Sequence, residues 1–185
     1  MACHCRVADP RSRFSLPEVK LGIIPGYGGP QRLPRLVGPA KAAELSINGE
    51  PIDGREAVSL GLADEFAPAS AALACAFRTA QAMATGKKRV PARDWDAIAA
   101  RQTSKLRRLL ATPEAREILA AGPPASDRIG DPAAARVYAA GFRKGLRSDA
   151  RLFGEVAASP TGQEWIRRFI EKDPLQSAFM KIVSF

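Results

Sequence analysis

The 185-residue chain has little of several things. It holds one histidine, His4, and three cysteines, Cys3, Cys5 and Cys75. Three thiols do not make a disulfide framework, and no n-region, h-region and cleavage site open the chain, so a reducing, cytoplasmic setting is expected. No apolar run approaches about 18 residues, so no membrane span is expected. No repeat recurs at a fixed period. With one imidazole, His-dependent nucleophilic triads are set aside, and acid-base chemistry falls to carboxylates, Lys, Tyr or Cys. Cys3-His4-Cys5 has the residue types of a chelate, but neighbouring ligands on a strand point to opposite faces and no second Cys or His group completes a site. No metal is expected.

What is present is an ordinary globular composition, 46% apolar and 25% charged, which excludes wholly disordered, collagenous and low-complexity classes. The net charge of +9 makes an acidic partner worth considering, among them nucleic acid, anionic lipid and phosphorylated small molecules. Against nucleic acid, Lys and Arg are spread over every segment, and Trp95, Trp165, Tyr27 and Tyr138 lie in no recognised binding motif. The runs Lys87-Lys88-Arg89 and Arg143-Lys144 read as solvated surface, with anion binding as the alternative.

Along the chain, Ala2–Ala8 reads as a short strand ending at the turn signal Asp9-Pro10. Leu16 to Pro25 holds two prolines and a glycine, which excludes a long helix and predicts an irregular segment of the kind that carries function. Pro30 opens a short helix to Val37, and Ala40–Ile47 forms another that stops at Asn48-Gly49. Asp53 with Glu56 is an N-cap and capping box, Gly61 closes that helix, and a strand over Ala63–Ala67 follows. From Ser70 the text is almost wholly helical: Ser70–Ala84, Ala92 to Leu110, Pro113–Ala121, Pro132 to Leu146 and onward to Ala158, and a last helix from Gly162 to Glu171, started by Thr161 with Glu164. Pro123-Pro124 and Gly130 mark a linker.

Two features could carry chemistry. Ile24-Pro25-Gly26-Tyr27-Gly28-Gly29 invites a phosphate-loop reading, but Pro30-Gln31 follows where a Walker loop needs Lys then Ser or Thr, and Gln31 stands where a dinucleotide fingerprint needs glycine. A tight structural turn is the alternative. Glu18 follows Pro17 and is flanked by Leu16, Val19 and Leu21, an apolar setting that suits a carboxyl asked to hold and pass a proton. A surface glutamate paired with Lys20 is the alternative there.

Read whole, Phe14 to Gly38, with Leu16-Pro17-Glu18-Val19-Lys20-Leu21-Gly22-Ile23-Ile24-Pro25-Gly26-Tyr27-Gly28-Gly29-Pro30-Gln31-Arg32-Leu33 at its centre, strongly resembles the signature of the crotonase superfamily, the enoyl-CoA hydratases and isomerases. Asn48-Gly49-Glu50-Pro51-Ile52-Asp53 and Glu56 to Asp64 continue the likeness, and Met1–Ala8 is similar to the family's buried strand, with His4 where an acidic residue is usual. Pro30 replaces a usual threonine.

The resemblance implies an α/β crotonase (ClpP/crotonase-like) fold represented by its C-terminal portion and predominantly helical in the last two-thirds. Residues 1–68 would be core with the active-site loop, and 69–185 helices for trimerisation and CoA contact. It implies Glu18 as the second catalytic glutamate, exchanging a proton with the acyl chain or the added water. It also implies Gly26 as the glycine whose backbone positions that water, with Pro25, Phe169 and Lys172 on the substrate's CoA. The family's first glutamate, its oxyanion-hole amides and most of its β-spiral would fall upstream of Met1, leaving half a site here. The implied substrate is a 2-enoyl-CoA thioester, hydrated or with its double bond moved as in fatty-acid β-oxidation. No separate cofactor is implied, CoA being carried by the substrate, and the implied assembly is a homotrimer or hexamer. A non-catalytic subunit of a crotonase assembly is the other reading.

Overall fold

The computed structural model describes residues 1–113, 116 and 141–172. The chain opens with β1 (Val7–Ala8) and β2 (Arg13–Phe14), then a 3-10 turn over Pro17–Leu21. Helices α1 (Gly29–Val37) and α2 (Pro39–Asn48) follow, then β3 (Ile52–Asp53), α3 (Gly54–Ser59) and β4 (Glu65–Phe66). The rest of the described chain is α4 (Ala72–Ala84), α5 (Trp95–Leu110), α6 (Phe142–Ala158) and α7 (Pro160–Lys172).

Strand β1 pairs in parallel with β4, Val7 opposite Glu65 and Ala8 opposite Phe66, while β2 runs antiparallel to β3 with Phe14 opposite Ile52. Between these ribbons and the first two helices lies the core, built on Ala8, Leu16, Leu33, Leu45, Ile52 and Leu62. Side chains at Leu33, Ala42 and Leu45 reach it from α1 and α2 because their helical spacing puts them on one face. Asp53 caps α3 as its spacing predicts, accepting from the amides of Arg55 and Glu56 at 2.8 and 2.9 Å.

Several elements differ from the sequence reading. The strand expected over Ala2–Ala8 is reduced to Val7–Ala8, because the residues before it turn with the Arg6 side chain, which bonds the Leu62 and Cys3 carbonyls and pairs with Asp64 at 2.9 Å. The strand expected over Ala63–Ala67 is only Glu65–Phe66. Leu16 to Pro25 is not irregular throughout, since Pro17 starts a 3-10 turn. The last helix begins at Pro160 rather than beyond Thr161, and its cap is Ser159, whose Oγ accepts from the Gly162 amide at 3.0 Å. The helix expected over Pro113–Ala121, the first part of the one from Pro132, and the Pro123-Pro124 and Gly130 linker lie outside the described residues.

Helices α5 and α6 fold back on α1. Phe142, at the start of α6, stacks on Trp95 of α5 with centroids 5.6 Å apart, and its amide donates to Asp96 Oδ1 at 2.7 Å. Helix α7 reaches the 3-10 turn.

Candidate active site

The 3-10 turn exists because Pro17 presets φ at its first position and Gly22, at φ 68°, ends it in the left-handed region. The Ile23 amide closes back on the Glu18 carbonyl at 3.3 Å, and Val19 is fully buried. This fixes the backbone of Glu18 on both sides. Its side chain is half-buried, and Oε2 is enclosed with no hydrogen-bond partner among the described residues. The pairing considered for it is not made: Lys20 turns away and bonds Glu50 Oε1 at 2.7 Å. Glu18 therefore keeps a carboxylate oxygen uncommitted, as a proton carrier requires.

Ile23, Ile24 and Pro25 then run inside the protein. Pro25 is completely enclosed and packs the loop from within. Gly26 starts a turn in which its carbonyl accepts from the Gly29 amide at 2.9 Å. Tyr27 is the one described non-glycine with positive φ, 51°, and is 99% exposed. Gly28, at φ 73°, is the N-cap position of α1, and Arg32 Nη1 donates to the Tyr27 carbonyl at 2.8 Å. Gly26-Tyr27-Gly28-Gly29 is thus a left-handed turn feeding a helix, and its shape is held by α1 itself.

Helix α6 covers this turn. A Cβ on Gly26 would lie 3.3 Å from the Phe153 ring, and one on Gly28 would strike Leu146. Beneath them runs a buried polar chain that the sequence reading did not find. Gln31 Nε2 donates to Asp149 Oδ1 at 3.1 Å, and Arg35 Nη1 donates to the Gln31 carbonyl at 2.6 Å and to its Oε1 at 3.1 Å. Arg35 Nε reaches the Trp95 carbonyl at 2.8 Å. Burial pushes the Asp149 carboxyl up to about 6, against the opposing effects of the Gln31 bond and the Arg35 and Arg32 charges. Gln31 and Arg35 are four apart on α1, which is a legible spacing, but nothing local marks Asp149 as their partner.

The structure brings Glu18, Pro25 and Gly26 together on one continuous segment. Phe169 and Lys172 fall on α7, the helix that meets the 3-10 turn, but their side chains lie outside the described residues. Among the described residues no three His, Cys, Asp or Glu side chains gather as metal ligands, and no helix is long and apolar enough to cross a membrane.

The half-buried glutamate lies on a Pro/Gly-bounded turn followed by a glycine turn into a helix, and the sequence profile of the enoyl-CoA hydratase/isomerase family matches residues 1–116. The chain belongs to that family, and its fold is the α/β crotonase fold. Over 68 residues, 37% of the chain, it is 57% identical to the glyoxysomal fatty acid beta-oxidation multifunctional protein MFP-a of Cucumis sativus, covering 9% of that protein. Among solved structures, an enoyl-CoA hydratase/isomerase from Pseudoalteromonas atlantica T6c superposes with a TM-score of 0.56 at 22% identity, over 92% of this chain and 54% of that one. A carnitinyl-CoA dehydratase from Mycobacterium avium 104 gives 0.55 at 26% identity, over 91% and 53%. The chain therefore spans about half the length of these structures and about a tenth of the plant protein.

Proposed function

We propose that this chain supplies the Glu18 half of an acyl-CoA active site that hydrates a 2-enoyl-CoA thioester or moves its double bond. The observation that carries the reading is the uncommitted, enclosed Oε2 of Glu18 on a turn fixed at both ends. Double-bond migration can use one shuttling carboxylate, together with an oxyanion hole for the thioester enolate. The carboxylate takes a proton from one carbon of the acyl chain and returns it to another. Hydration asks for more: Glu18 exchanges one proton with water or the α-carbon, and a second group handles the other. Gly26, eight residues on at the head of the glycine turn, is assigned the backbone that positions the water. Phe169 and Lys172 are assigned to the CoA moiety, whose phosphates match part of the +9 charge. The substrate brings the CoA, so no further cofactor is assigned. The protein is assigned to the cytoplasm and to a homotrimer or a hexamer of paired trimers.

The test is hydration of crotonyl-CoA, and isomerisation of a 3-enoyl-CoA, by the wild-type chain beside Glu18→Gln. The expected result is a loss of roughly a hundredfold or more in the variant, the usual scale for removing a positioned acid-base group. A well-folded wild type with no turnover of either substrate overturns the catalytic reading and leaves the non-catalytic subunit in its place.

A further inference from the structure

Helix α6 carries a stripe whose members all meet α1 or the glycine turn. Phe142, Gly145, Leu146, Asp149 and Phe153 fall at positions i, i+3, i+4, i+7 and i+11, which puts them on one helix face. The contacts run in order along it. Phe142 lies against Arg32 and Arg35, with guanidinium carbons 5.3 and 5.4 Å from its centroid, and Gly145 abuts the Gln31 amide. Leu146 faces Gly28, Asp149 receives Gln31, and Phe153 faces Gly26. Asp149 is the only charged member of the stripe. It is 7% exposed, and its Oδ2 has no hydrogen-bond partner among the described residues.

We propose that Asp149 is a positioning residue for the glycine turn: through Gln31 it seats α6 on α1, and so sets how closely Leu146 and Phe153 close over Gly28 and Gly26. Its consequence for turnover rests on the reading of Glu18 and Gly26 above; its effect on the turn does not. An apolar side chain would complete the stripe without leaving a buried oxygen unpartnered, so a carboxyl here makes the seating depend on its charge.

The charged groups acting on Asp149 are Arg35 and Arg32, both on α1. A carboxyl raised from 3.8 to about 6 in the folded protein contributes stability below the lower value and loses it as pH rises toward the upper one. Seating is therefore tighter in acid. From those two values, protection of the turn falls about tenfold between about pH 5 and about pH 7.5.

Hydrogen exchange at the amides of residues 26–32, corrected for intrinsic rates, reads this directly in the full chain. Wild type is expected to show the tenfold step, and Asp149→Asn, which keeps an acceptor for Gln31 without the charge, is expected to lack it. Gln31→Met removes the bond that lowers the Asp149 carboxyl and is expected to move the step to higher pH. This second variant keeps the test decisive if the first folds poorly. With crotonyl-CoA, Asp149→Asn is expected to change kcat and its pH profile more than KM. A wild-type turn without a pH step, or a step that persists in Asp149→Asn, overturns the proposal and leaves Glu18 untouched. Loss of turnover in Glu18→Gln with the step intact separates the two readings from the other side.

Discussion

A Cβ on Gly22 would lie 2.7 Å from both Cβ and Cγ of Trp165, so the turn that carries Glu18 meets α7 where only glycine fits. Gly22 also has φ 68°. Two separate costs follow for Gly22→Ala: left-handed strain of about 1 kcal/mol, and a steric clash that displaces α7. The variant is expected to melt several degrees lower. Adding Trp165→Ala should return the steric part but not the strain, and a double-mutant cycle on thermal unfolding separates them.

Gly145 stands in the same relation to Gln31. A methyl group there enters the space of the Gln31 amide, which Asp149 and Arg35 hold in place. Gly145→Ala is expected to cost about 1–3 kcal/mol in urea unfolding by overpacking. Gln31→Ala in the same chain should recover part of that loss, whereas it lowers stability on its own.

Arg35 is 4% exposed and joins α1 to the carbonyl of Trp95 on α5. Replacing it by Met removes the side-chain bonds to the Trp95 and Gln31 carbonyls and to Gln31 Oε1, and leaves Asp149 with less positive charge nearby. The expected loss is roughly 2–4 kcal/mol, read from the denaturant midpoint, with Arg35→Lys nearly as damaging because one ammonium cannot span the same acceptors.

Glu65 gives the opposite pH dependence from Asp149. Its carboxylate accepts from Lys88, from Cys75 Sγ at 3.2 Å and from Thr79 Oγ1 at 3.0 Å, and these bonds, Lys88 foremost, hold it below its usual 4.5. A depressed carboxyl contributes stability above its unfolded value and loses it as pH falls through the folded one. Melting temperature is expected to drop below about pH 4.5 in the wild type and to be flatter over that range in Glu65→Gln. A pH series of thermal unfolding checks it.

The local grammar of the chain was legible in its residues. Gly26 to Gly29 lead into α1 and Asp53 caps α3, because each depends on φ restrictions and hydrogen bonds within a few residues. Where a nearer, stronger partner intervened, the reading slipped. Ser159 took the cap expected near Thr161, and Arg6 bent the residues expected to extend β1. Glu18 was singled out, but its neighbours could not say whether Lys20 would pair with it.

By itself the sequence determined the family, the glycine turn into α1 and the helical character of the described residues beyond 69, since these follow from local conformation and from a long specific motif. Only the tertiary structure decided that Glu50 takes Lys20, leaving Glu18 an uncommitted oxygen, and that Asp149 lies buried against Gln31, 118 positions away in the chain. Helical periodicity says which residues share a face. It does not say what that face will meet, because burial, charge pairing and the pH at which Asp149 ionises are set by groups that come together only when the chain folds.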